Sequence, residues 1–134
     1  MASIIKEMSL DVPAGEVWDV LRDFGAVASR LAPGFVTGCE LIEGARLITF
    51  FNGMVVREAF VGRDDERRRI AYCATGGQAT HHNASGQVFD AGGGKSRFVW
   101  ITDVLPDAVA PMIDGMMDAG MKAMKAALER EPAM

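Results

Sequence analysis

The chain is poor in the residues that most often carry catalysis and metal binding. Its 134 residues include two cysteines, two histidines and one tyrosine. Cys39 and Cys73 lie in separate apolar, strand-like runs with no metal-type spacing, so buried free thiols are expected rather than a disulfide or redox pair. His81 and His82 are adjacent. Adjacent strand residues point to opposite faces, so the two cannot serve one metal, and no metal site is expected. No serine, cysteine or lysine stands in a nucleophile motif, and no dinucleotide fingerprint is present, so no cofactor is expected. No apolar run approaches the ~20 residues that span a bilayer. The opening "MASIIKEMSLDVP" carries charges where a secretory leader has its apolar stretch, so the expected compartment is the cytoplasm. Positive charge is scarce as well, with a net charge of −4. The one basic run, Glu66 to Arg69, follows Asp64 and Asp65 and reads as a solvated hairpin shoulder, not a nucleic-acid site.

What is present is a pattern of short strands bracketed by helices. "SIIKEMSLD" alternates, with Ile4, Lys6, Met8 and Leu10 on one face, although Lys6 interrupts its apolar character. "PAGEVWDVLRDFG" places Pro13 at a first helical position, with Val17, Trp18, Leu21 and Phe24 on one side. "AVASRLAPG" allows a second short helix, stopped by Pro33 and Gly34. From Phe35 to Leu105, β-branched and aromatic runs are separated by turns at Gly44, Asn52–Gly53, Asp64–Glu66, Gly76–Gly77 and Gly92–Gly94. That texture predicts an antiparallel meander. "AGGGKS" imitates a phosphate-binding loop, but Phe89 stands where that loop needs glycine and a strand follows, so it reads as a hairpin turn.

Past Pro106 lies a long amphipathic helix. Its apolar stripe runs through Val109, Met112, Ile113, Met116, Met117, Gly120, Met121, Met124, Ala127 and Leu128. Asp118 and Lys122 on the other side are spaced for a surface pair. Methionine adapts to irregular space, and glycine costs about 1 kcal/mol relative to alanine inside a helix. Five methionines and two glycines between residues 111 and 129 therefore suit the soft wall of a cavity better than a dry core. The element order predicts an α+β architecture: a single domain over 1–134, with about seven antiparallel strands curled around this helix and two short helices after the first strand.

In this order and in "VPAGEVWDVLRDF", "VVREAFVGRDDERRRIAYCATGG" and "FVWITDVLP", the chain resembles the START/Bet v1-like (SRPBCC) superfamily, in its polyketide cyclase/dehydrase branch. The resemblance implies a helix-grip fold with a hydrophobic cavity for lipids or other apolar ligands. A second resemblance, over "REAFVGRDDERRRIAYCATGG", is to the plant abscisic acid receptors of that superfamily. It implies that Glu58, Tyr72, Asn83 and Ser85 occupy pocket positions. The receptors' anchoring lysine falls at Thr37, which argues against a carboxylate-bearing hormone, and their gate loop is cut to "FNGM".

Alternation supports Glu58 independently. Met54, Val56, Glu58 and Phe60 share one strand face, placing a carboxylate among apolar neighbours, where it must be paired, hydrogen-bonded or protonated. The alternative is an edge glutamate that reaches solvent or pairs with Arg46 or Arg57. The cavity is expected to be several hundred Å3, lined by Ile48, Phe50, Val56, Tyr72, Trp100, Met117, Met121 and Met124. His81, sharing parity with Asn83 and Ser85, would point toward its mouth. The expected function is binding of a small hydrophobic or aromatic molecule. The alternative is a cyclase/dehydrase-type enzyme with Glu58 as acid/base. The expected partner is the small molecule alone, without nucleic acid or membrane span, and a homodimer stays open.

Overall fold

Between Phe35 and Leu105 side-chain character alternates with a period of two, and this stretch forms six consecutive strands. The structure, a computed structural model, describes residues 2–130. Strand β1 (Ala2–Leu10) leads into helix α1 (Ala14–Leu21) and a short π-helical turn (Val27–Leu31). Strands β2 (Val36–Ile42), β3 (Ala45–Phe50), β4 (Val55–Asp64) and β5 (Arg69–Thr75) follow. Strands β6 (His81–Gly92) and β7 (Lys95–Leu105) complete the sheet before helix α2 (Ala110–Leu128). The seven strands lie in the order β1-β7-β6-β5-β4-β3-β2, each pair antiparallel. This is the expected α+β architecture, a curved sheet gripping its C-terminal helix. "AGGGKS" is the β6–β7 hairpin, with Gly92, Gly93 and Gly94 all at positive φ, where a side chain would be strained.

The helices differ from expectation in detail. Pro13 is extended (φ −60°, ψ 143°) and precedes α1, its carbonyl accepting from the Glu16 and Val17 amides. Ala14, Val17, Trp18 and Leu21 form the buried side of α1. Trp18 is 6% exposed, and its indole N–H donates to Asp65 Oδ1 at 2.9 Å, tying the helix to the β4–β5 turn. Phe24 lies beyond the helix end, edge-on to Phe60 with ring centroids 5.4 Å apart. The second short helix is a single π turn closed by the Ala32 amide on the Val27 carbonyl. Cys39 and Cys73 are free but half-buried, not fully buried.

Lys6 has a clear reason to interrupt the inward face of β1. Its ammonium bonds Asp114 (2.6 Å) and Asp118 (3.0 Å) on α2, fastening the helix across the sheet edge. Asp118 therefore turns to Lys6, and the expected pair with Lys122 does not form. Met117, Gly120, Met121 and Met124 are the buried positions of α2. A Cβ on Gly120 would lie 3.0 Å from the Trp100 ring and 3.2 Å from that of Phe35, so the absent side chain is what lets both rings reach the helix.

Candidate functional site

Between the concave sheet face and α2 lies a cavity of about 130 Å3. Ile48, Phe50, Val56, Glu58, Tyr72, Trp100, Met117 and Met124 are all on its wall. It is smaller than the several hundred Å3 expected, because Trp100 and Phe35 press into the space beside Gly120. Met121 is off the wall and packs in the core cluster with Leu10 and Val17. Thr37 is exposed, its hydroxyl donating to the Thr49 carbonyl at 3.3 Å.

On β6 the expected facing is reversed. Ala84, Gly86 and Val88 are buried, whereas Asn83 is exposed and His81 and Ser85 are only half-buried. His82 and Gly86 line the cavity; His81, Asn83 and Ser85 do not. The signal was in the strand itself. Ala84, Gly86 and Val88 are small and apolar, while Asn83, Ser85 and Gln87 are polar, and alternation sends the polar set to solvent.

Glu58 sits on β4 between Arg46 on β3 and Ala74 on β5. Arg46 Nε donates to Glu58 Oε1 at 2.8 Å, with the side chains 7% and 12% exposed. Arg46 Nη1 donates to the Phe24 carbonyl at 3.0 Å. The guanidinium lies 3.9 Å above the Phe24 ring and 5.0 Å from the Tyr72 ring. Arg57 is exposed on the other face, so of the two candidate partners Arg46 is the one engaged. Burial pushes the Glu58 carboxyl above its ordinary range, and Arg46 only partly offsets this. A buried ion pair whose desolvation outweighs its attraction behaves this way.

Further polar groups share the wall. Trp100 Nε1 donates to Tyr72 Oη at 3.1 Å. Burial, followed by the nearby Glu58 charge, raises the Tyr72 phenol, so it is a neutral donor. His82 is lowered by burial, with a smaller push from His81, which favours the neutral imidazole. Thr102 is 1% exposed, and its hydroxyl has no hydrogen-bond partner among the described residues. Strand parity with Trp100 could have found Thr102. Arg46 could be named as a partner but not chosen, because the choice depends on the β3–β4 register. No group of three or more potential metal ligands occurs among the described residues.

A curved seven-stranded sheet closed by a methionine-lined helix over an apolar cavity defines a helix-grip fold. Residues 1–129 match the family model for polyketide cyclase / dehydrase and lipid transport, and the chain belongs to that family. Among solved structures, the protein XoxI from Bacillus cereus is similar with a TM-score of 0.85 at 19% identity, covering 96% of each chain. The Zhui aromatase/cyclase from Streptomyces sp. R1128 is similar with a TM-score of 0.72 at 18% identity, covering 95% of this chain and 90% of that one. A START superfamily protein from Mycobacterium smegmatis is similar with a TM-score of 0.69 at 14% identity, covering 95% and 94%. At such identities the likeness concerns the fold. A search of curated protein sequences finds no match. No helix among the described residues is long and apolar enough to cross a membrane.

Proposed function

We propose that the protein binds a small, largely apolar molecule, about one ring in size, in the cavity between sheet and α2. The observation that carries this reading is the cavity itself, about 130 Å3 of space with a mostly apolar wall and a few converging polar groups. A dry cavity of roughly 150 Å3 accommodates a single benzene ring. A long acyl chain would need the methionines of α2 to move, so the dimensions favour a compact ligand over a lipid. The test is native mass spectrometry of the purified protein, followed by calorimetric titration with one-ring aromatic compounds. One small molecule bound per chain is the expected result. A chain that carries nothing and takes up none of these compounds rejects the reading.

A second reading is a cyclase/dehydrase-type reaction with Glu58 moving a proton. The raised carboxyl on the cavity wall favours it. Arg46 engages Oε1, which leaves Oε2 to meet a ligand. The same mass spectra separate the two readings: a ligand released unchanged supports binding, and one returned cyclised or dehydrated supports the enzyme.

A further inference from the structure

Thr102 is on the cavity wall, and its hydroxyl is fully buried with no partner among the described residues. It sits on β7, the second strand of the sheet, opposite Ile4 on edge strand β1 and Ala84 on β6, and neither side chain can hydrogen-bond. A valine of the same shape would pack there without stranding a hydroxyl, so the polar atom at this place calls for a partner. Across Ala84 in the same cross-strand row stands Tyr72. Its oxygen accepts from Trp100, and among the described residues its own proton is donated to none. Ser96 is a second orphan hydroxyl, but it is not on the wall, so no ligand can answer it.

We infer that Thr102 is a ligand-recognising residue, hydrogen-bonding an uncharged hydroxyl or carbonyl oxygen of a compact aromatic molecule, with the Tyr72 hydroxyl as a second donor to the same edge of the ring. This rests on the proposed ligand binding and deepens it from an apolar molecule to an oxygenated one. The neutrality follows from the surroundings. The row holds Ile4, Ala84, Tyr72 and Thr102 and no charged side chain, while the Arg46 guanidinium on β3 is already engaged by Glu58 and the Phe24 carbonyl. A carboxylate or ammonium placed against Thr102 would be desolvated without a counter-charge.

The experiment compares p-cresol with toluene, which differ by one hydroxyl, in calorimetric titrations of the wild type, Thr102→Val and Thr102→Ser. The wild type is expected to prefer p-cresol. Thr102→Val should weaken p-cresol roughly three- to tenfold, the effect of one net hydrogen bond, and leave toluene unchanged. Thr102→Ser, which keeps the hydroxyl, should keep the preference. Thr102→Val removes an unpaired buried group, so its melting temperature should stay level or rise, which guards against a folding artefact. Equal binding of both probes by wild type and Thr102→Val overturns the inference and leaves the cavity reading standing. Failure of both probes to bind the wild type overturns both.

Discussion

Glu58 and Arg46 form a charge pair whose two roles, hydrogen bonding and ionisation, can be separated by substitution. Glu58→Gln keeps an acceptor for the Arg46 Nε–H and removes the buried negative charge, so it should fold with no loss of stability at neutral pH. Glu58→Leu leaves the guanidinium with the Phe24 carbonyl alone and should cost about 1.5–3 kcal/mol, as for a lost hydrogen bond to a charged group. The pH dependence has a definite sign. The folded protein holds the Glu58 proton to higher pH than the unfolded chain does. The stabilisation from this group is therefore full below the unfolded value, near 4.3, and is lost as pH rises through the folded value. Urea unfolding at a series of pH values should show the wild type losing ground to Glu58→Gln as pH climbs from about 4. A wild type that gains ground over that range would mean that Arg46 outweighs burial.

At the scale of the element, α2 contains two glycines whose substitution should have opposite effects. Gly115 is exposed, and a Cβ there meets nothing within 4 Å, so Gly115→Ala should stabilise by about 0.5–1 kcal/mol through helix propensity and chain entropy. Gly120→Ala gains the same propensity but drives a methyl group against Trp100 at 3.0 Å and Phe35 at 3.2 Å. Overpacking of this kind costs about 1–3 kcal/mol, so the net change should be a loss. Thermal melts of the two variants check this; a rise in both would show that the rings have room to withdraw. The helix also illustrates what the sequence can and cannot reveal. Its spacing marked Met117 and Met124 as inward and Gly120 as a gap, because 3.6-residue periodicity is local. It could not say that the gap is filled by rings from β7 and the β2 approach, since that depends on residues far apart in the chain. On β6 the local signal was correct and the resemblance to receptors was not, because pocket positions transfer between relatives only when strand register does.

Considered as a whole, the molecule is a shallow grip around a small space, and its size should show in ligand selection. Across benzene, naphthalene and anthracene, calorimetric affinity should be highest for one ring and fall roughly tenfold or more by three, since each added ring must displace packed side chains. Affinity that climbs steadily with ring number would show that α2 yields readily. The architecture was legible because element order and turn chemistry are written locally in the chain. Its dimensions were not, because a cavity is what remains after long-range packing, and the same methionines can surround a large void or a small one. Packing also set apart the two tryptophans, Trp18 bonded to Asp65 outside the cavity and Trp100 on its wall bonded to the chain's one tyrosine. The protein thus contains its own optical reporter. With Trp18 replaced by phenylalanine, the remaining indole emission comes from the cavity wall, and its wavelength reports directly on what fills the space beside it.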